Sequence, residues 1–435
     1  MKLRDLQLLA QKIEPWLVGI YLIYFLGIAV PPRAVGIANA ASYGILFILL
    51  VISGCWRQLL FGMTRDIPLL ALHLMSVVSI LWSVAPEFTA DEPKAFLRAG
   101  LFGVYLAVRF GLTGQMMLLA RIMGIAVFLS LLAGIVAPSY GIETMGESAG
   151  FWKGIFQFKN LFASNMAFAV LTLLLFGLSR PKWRGLVWGL GAIAFALLLL
   201  SRGKTGLASL LITLYLLPFL GVVKQYYKTR VVSVALILIT SLIGGLLVFL
   251  NLRFIVVEVL GKSLEFNGRL PLWSMMLDKG LDHFWLGHGY AAFWTSGASF
   301  QILTQTWAYE TYRLGIRFNA HNGYIDLFLQ LGIVGLSLYL ISLGTLFFRA
   351  IYLLMRQKSI EVFWVLLTLV LSSLLSFADS LSVGTGGAMW SLYVAFSTSI
   401  AIQYRRLKID DRISETNPPE PSLAPNLSAA NLRSS

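Results

Sequence analysis

Long apolar runs alternate with short polar stretches from Trp16 to Gln403. Each run is about 17 to 25 residues long, enough to cross the roughly 30 Å hydrocarbon layer as a helix. This rhythm predicts spans near 16–31, 38–54, 67–84, 95–111, 118–138, 161–178, 185–200, 205–223, 231–252, 328–350, 361–377 and 387–404, about twelve in all. The expected fold class is therefore an all-α polytopic membrane protein. One interval breaks the rhythm, running from Arg253 to Asn322. Its aromatic residues, among them Phe266, Trp273, Phe284, Trp285, Tyr290, Phe293, Trp294 and Trp307, supply apolar mass that a disordered segment lacks. Within it, 270–280 has the pattern of an amphipathic helix lying against the membrane surface. The chain thus divides into nine spans over 1–252, a large loop with surface helices over 253–322, three spans over 323–404, and a disordered polar tail over 405–435.

Composition sharpens this reading. Of 435 residues, 58% are hydrophobic and 12% charged, whereas about 25% charged is usual for a soluble domain. The net charge of +14 would fit a nucleic-acid binder if the cations shared one soluble face. Instead they fall in clusters between apolar runs, at Lys2/Arg4/Lys12, Arg57/Arg65, Arg109/Arg121, Arg180/Lys182/Arg184, Lys224/Lys228/Arg230, Arg349/Arg356/Lys358 and Arg405/Arg406/Lys408. Placing both termini in the cytoplasm puts every one of these clusters inside, as the positive-inside rule requires. The acidic 85–94 segment, and 139–160 with Glu143 and Glu147, then lie outside. The first apolar run lacks a small-residue cleavage pattern and reads as a retained span. Cys55 is the sole cysteine, which excludes an intramolecular disulfide and a cysteine-based metal cluster.

Three features on the expected outer side carry candidate chemistry. Ser201-Arg202-Gly203-Lys204-Thr205 places two cations in a short outer turn, where basic residues are disfavoured. Headgroup snorkelling is one account of them, and anion binding is the other. Arginine suits a diphosphate because its planar guanidinium donates two parallel hydrogen bonds, and free N–H groups from Lys204 to Leu207 would add to the site. Gly268-Arg269-Leu270-Pro271-Leu272-Trp273 supplies a second arginine, and Ala320-His321-Asn322-Gly323-Tyr324 supplies an imidazole just before a membrane span. Histidine changes charge near neutral pH and can move a proton there. Arg98 and Asp379 could line the same cleft or pair with each other, while His73 reads as a packed core histidine. No Asp-x-Asp or His-Glu-x-x-His pattern occurs, and His283 with His288 is too sparse for a metal site. No cofactor is expected.

These segments, with Leu286-Gly-His-Gly-Tyr-Ala-Ala-Phe-Trp294 and the run from His321 to Gly335, resemble the O-antigen ligase and O-antigen or exopolysaccharide polymerase superfamily of bacterial inner-membrane glycosyltransferases. Gly154-Ile-Phe-Gln-Phe-Lys-Asn160 resembles the exopolysaccharide polymerase branch, with Phe158 where that branch commonly has histidine. The resemblance implies a fold similar to the glycosyltransferase C type, a periplasmic active site, and metal-independent, inverting transfer. It implies a glycan donor on undecaprenyl diphosphate and a lipid-linked glycan or lipid A-core acceptor, with a possible chain-length regulator as partner. On the residues above, Arg202, Arg269 and Lys204 are expected to bind the diphosphate and His321 to deprotonate the acceptor hydroxyl. Asn322, Tyr324, Trp273 and Trp294 are expected to orient the site or contact sugar. A transporter of lipid-linked glycans is the competing class, weakened by the lack of internal repeats.

Overall fold

The computed structural model describes residues 3–144, 146–223, 232, 268–315, 317–380, 384 and 386–416. Among these the chain is helical, with isolated β-bridges at Ile28–Phe156 and Ile142–Trp152 and no strand. Seven helices are long and apolar enough to cross a membrane, or eight if Trp56–Met63 and Ile67–Leu81, bent by 95°, form one broken span. The count of twelve is not reached among the described residues. The span expected at 231–252 and the start of the large loop lie outside them, and Pro93–Val136, counted once, is two helices joined across a kink where the spans 95–111 and 118–138 were expected. That 44-residue stretch carries a non-helical residue at Gly111 (φ 53°, ψ 178°). The last helix, Ala388–Thr416, runs well past the expected span end, so the polar tail begins as helix; the part beyond Thr416 lies outside the described residues.

Helices in a bilayer gain no hydrophobic driving force from meeting, so close backbone approach and buried polar bonds hold them together. Gly103 supplies such an approach: a Cβ there would sit 2.4 Å from the Ser391 carbonyl oxygen, so Pro93–Val136 can lie directly on Ala388–Thr416. At the expected cytoplasmic end, Asp66 caps the helix beginning at Ile67 by accepting the Leu69 N–H at 3.1 Å. The same carboxylate accepts from Ser342 Oγ at 2.6 Å and Ser397 Oγ at 2.5 Å, tying three helices. Arg109, expected as a topological charge, grips Glu14 with two bonds of 2.7 Å. That bidentate geometry joins the first helix to Pro93–Val136. His73 is a packed core histidine, with Nδ1 bonded to the Leu69 carbonyl at 2.8 Å and Nε2 accepting from Trp390 Nε1 at 3.1 Å.

The Gly323–Gln357 helix starts about one turn before the span expected at 328 and breaks at Gly332 (φ 64°, ψ −167°). A break inside a span frees backbone groups that water cannot reach. The loop 284–289 satisfies them. The Ile333 and Val334 N–H groups donate to the Phe284 and Trp285 carbonyls at 2.8 and 3.2 Å, while the His288 and Gly289 N–H groups donate to the Leu329 and Gln330 carbonyls at 2.9 and 3.0 Å. His288 Nδ1 also meets the Leu329 carbonyl at 3.0 Å. This clamp explains the Leu286–Trp294 motif as structure. The Arg269–Asp282 helix appears where an amphipathic helix was expected, and it packs Leu272, Met276 and Gly280 inward, with Gly280 directly on Phe328.

A Cβ at Gly332 would meet the Trp285 carbonyl oxygen at 2.3 Å, whereas one at Gly344, on the same helix, meets nothing within 4 Å. The Gly332 backbone (φ 64°, ψ −167°) lies in a region essentially confined to glycine, which costs another residue on the order of 1–3 kcal/mol. Gly332→Ala is expected to lower the melting temperature of the detergent-purified protein, and Gly344→Ala to leave it unchanged. Equal melting curves for the two variants would show that the clamp contributes nothing.

Candidate active site

The turn before Gly323 is held by local caps together with hydrogen bonds to distant segments. Asn322 caps the helix, its Oδ1 accepting from the Tyr324 and Ile325 N–H groups at 3.0 and 3.2 Å, and its own N–H donates to Ser380 Oγ at 3.1 Å. The Ala320 N–H donates to Asp326 Oδ2 at 3.1 Å, and the Ala320 carbonyl accepts from Trp273 Nε1 at 2.9 Å. Asp326 Oδ1 takes the Trp294 Nε1 hydrogen at 2.7 Å. With both neighbours held, His321 adopts φ 47°, and its N–H is received by Asn319 Oδ1 at 2.9 Å. Trp294 is only 7% exposed, so it positions this turn and offers no ring face to a sugar. Tyr324 likewise packs near Tyr339 and donates to the Ser373 carbonyl at 3.3 Å.

The His321 ring lies 5.3 Å from Trp307 and 5.5 Å from Phe318 between ring centroids. Its Nδ1 is 3.7 Å from Asp379 Oδ1, too far for a hydrogen bond, and is otherwise buried without a partner. Burial lowers the imidazole pKa to about 4, and the nearby Arg269 guanidinium lowers it too. The ring is neutral at pH 7, as a base requires, but it is a weaker base than an ordinary histidine. Burial pushes the Asp379 carboxyl the other way, up to about 6, against the opposing pull of the Ser380 N–H and Arg269. Arg269 itself is half-buried and donates from Nη1 to the Ala378 carbonyl at the end of the Ile360–Ala378 helix. Arg269, His321 and Asp379 are thus neighbours, with Asp379 brought in from the far side of two helices.

Arg202 belongs to a second cluster. Ser201 is fully buried, donating to the Leu198 carbonyl at 2.6 Å and accepting the Gly203 N–H at 3.1 Å. This tight turn holds Arg202 at φ 51°. A Cβ at Gly203 would lie 2.2 Å from Ala163 Cβ, so the turn sits on the first turns of the Lys159–Ser179 helix. There the Arg202 guanidinium lies 5.0 Å, and the Lys159 ammonium 4.4 Å, from the centroid of the same Phe151 ring. Lys204, exposed, opens the next helix. Of the N–H groups expected to be free at that helix start, those of Lys204 and Leu207 already donate to the Arg202 and Gly203 carbonyls, each at 3.0 Å. An anion there would therefore not receive those two N–H groups. Lys159 was not assigned a role from sequence; its signal was its place in the Gly154–Asn160 motif.

Between the clusters lies a cavity of about 220 Å³. Its walls include Leu161 and Ser164, close after Lys159, and Ser380, next to Asp379. Phe25, Leu26, Leu375 and Met389 make the rest largely apolar. Lys159, Arg202, Arg269, His321 and Asp379 are not themselves among its wall residues, which reach the two clusters through Leu161 and Ser380.

Residues 190–340 match the family model described as O-Antigen ligase. Arg202, Lys204, Arg269, Trp273, Trp294, His321, Asn322 and Tyr324 all fall within the matched stretch, while Lys159 and Asp379 fall outside it. The chain is also similar to the exopolysaccharide production protein ExoQ of Rhizobium meliloti (strain 1021), with 25% identity over 328 residues, covering 73% of this chain and 72% of the relative. Taken with the membrane helices, these two matches support the resemblance to the O-antigen ligase and O-antigen or exopolysaccharide polymerase superfamily and, coarsely, a multi-pass membrane enzyme related to polysaccharide assembly.

Proposed function

We propose that the protein is a polysaccharide polymerase that transfers a glycan from undecaprenyl diphosphate to a hydroxyl of a second lipid-linked glycan at the outer face of the inner membrane. The observation that carries this reading is the meeting of Arg269, His321 and Asp379 beside a cavity whose other wall leads to Arg202 and Lys159. With the Nδ1 proton directed toward Asp379, Nε2 presents its lone pair to the acceptor hydroxyl. As that oxygen bonds to the anomeric carbon, its proton passes to Nε2 and the carbon–oxygen bond to phosphate breaks on the opposite face, inverting the centre. Undecaprenyl diphosphate leaves with the bonding pair. Arg202, Lys204 and Lys159 stabilise its charge without solvent rearrangement.

A base with a pKa near 4 is poorly matched to pH 7. A bound diphosphate offsets the Arg269 charge that helps depress His321, so donor binding raises the basicity of the imidazole. Arg269 in this reading both meets the diphosphate and couples its arrival to the base. Arginines and lysines carry the leaving-group charge, so chelation by EDTA is expected to leave turnover unchanged.

The test is purified protein in lipid nanodiscs with a lipid-diphosphate oligosaccharide, products being sized on a gel. A ladder of products supports a polymerase. A single transfer to a distinct lipid acceptor assigns a ligase, and glycan moved across a vesicle membrane without new linkage assigns transport. His321→Ala is expected to lower turnover by about 10² to 10⁴, the usual cost of removing a general base. Arg269→Lys keeps charge but loses the two-pronged geometry and is also expected to be severely impaired; wild-type turnover would refute its role.

The acid limb of kcat/KM reports the free enzyme's groups. Asp379 works as a carboxylate, so activity should be full above pH 6 and fall as pH drops through about 6, where the carboxyl takes up its proton. His321 stays neutral down to about 4 and would set a limb only there. Asp379→Asn is expected to reduce the plateau and move the limb toward 4. An unmoved limb would remove Asp379 from the mechanism.

A further inference from the structure

Arg98 is a buried cation that the reaction above does not use. It stands on the second turn of the Pro93–Val136 helix and is 7% exposed. Its guanidinium carbon lies 4.1 Å from the centroid of the Tyr43 ring and 4.9 Å from that of Phe25. Nη1 donates to Asn39 Oδ1 and to Ser42 Oγ, each at 2.7 Å, and reaches the Asn39 carbonyl at 3.5 Å. Nε is buried without a partner. Among the described residues the groups bonded to Arg98 are therefore neutral, and a guanidinium withdrawn from water with neutral partners is costly unless an anion joins it.

A space for that anion is present. Arg98 lines a cavity of about 190 Å³ together with Gln157 and the chain at Gly386 and Gly387, with Ile28 and Val35 on its apolar side. That volume is on the scale of a phosphate headgroup and too small for an oligosaccharide. Phe25 and Gly387 also line the cavity that reaches Ser380, so the two spaces share a wall. Ser380 in turn receives the Asn322 N–H beside His321.

We propose that the Arg98 cavity seats the phosphate of a second lipid, the acceptor, while the cluster of Arg202 and Lys159 holds the phosphate of the donor. This rests on the reading of the site as a glycosyltransferase with two lipid-linked substrates. The ligand chemistry is a phosphate or diphosphate on a membrane lipid. A polyprenyl diphosphate is the assigned source, and a bilayer phospholipid is the other source of that chemistry. Two phosphates held on either side of the wall that the two spaces share leave the glycans, and not the lipids, free to meet at His321.

The experiment is native mass spectrometry of the detergent-purified full chain with undecaprenyl diphosphate carrying no sugar. Wild type is expected to bind two equivalents. Arg98→Ala and Arg98→Gln are each expected to keep one, and Arg202→Ala to keep the other. Arg98→Gln retains hydrogen bonding toward Asn39 and Ser42, and an unchanged melting curve separates lost binding from lost fold. With both glycan substrates present, Arg98→Gln should raise the acceptor KM about tenfold or more, the scale of a charged hydrogen bond, with the donor KM unchanged and Arg98→Lys recovering part of the loss. Two equivalents retained in both Arg98 variants would overturn the proposal and leave the general function standing. Loss of binding in neither the Arg98 nor the Arg202 variants would overturn both. In a second arm phosphatidylglycerol is titrated in. Displacement of the Arg98-dependent equivalent at matching concentration assigns that seat to bilayer lipid and overturns the acceptor assignment; resistance to displacement supports it.

Discussion

A single buried carboxylate, Asp326, holds the candidate site in shape. It is 6% exposed and receives the Trp294 indole on one oxygen and the Ala320 N–H on the other. Trp273 pins the carbonyl of the same alanine. His321 then has little freedom left and takes a backbone conformation that a histidine seldom adopts. Were Asp326 removed, an indole N–H and a backbone N–H would be left buried and unpaired, each costing about 1–3 kcal/mol. The aromatic mass of the large loop thus serves mainly to fix one turn, which is what electrostatic preorganisation demands.

The two ends of the helix bundle treat their charges differently. At one end Arg109 is locked to Glu14, and Asp66 is saturated by two serine hydroxyls and a backbone N–H. These are matched polar groups that tie helices together. At the other end Arg98 rests on aromatic rings and neutral oxygens, Arg202 shares the Phe151 ring with Lys159, and Arg269 bonds a helix-terminal carbonyl. Cations held by ring faces and neutral dipoles keep most of their field for an incoming anion.

Much of this was legible in the sequence. Apolar run lengths gave the helical membrane class, and Arg202, Arg269 and His321 stood out because they occupy places where a bilayer protein avoids charge. What the sequence hid were relations across long separations. Asp379 sits beside His321 because the Ile360–Ala378 helix ends there, and no local pattern carries that information. The glycines of Leu286–Trp294 read as part of a site motif, yet Gly287 lets the loop pass against the break at Gly332 and Gly289 lets it pass Ser83. Trp294 looked like a sugar platform because burial cannot be read from an isolated tryptophan.

The distribution of polar groups also bears on catalysis against transport. A carrier must offer its ligand a polar route to both sides of the membrane, alternately opened. Here the two cavities that adjoin Arg98 and Ser380 lie at the same end as Arg202, Arg269 and His321. At the other end, Glu14 with Arg109 and Asp66 with Ser342 and Ser397 spend their polar groups on one another across separate helices. Opening a path there would strand buried charges, at several kcal/mol for each one left unpaired. The transfer proposed above needs no such opening, because in it both lipid-linked substrates stay in one leaflet and only the glycan changes hands. That asymmetry, more than any single residue, is why the imidazole reads as a base acting on a bound hydroxyl and not as a proton relay across the membrane.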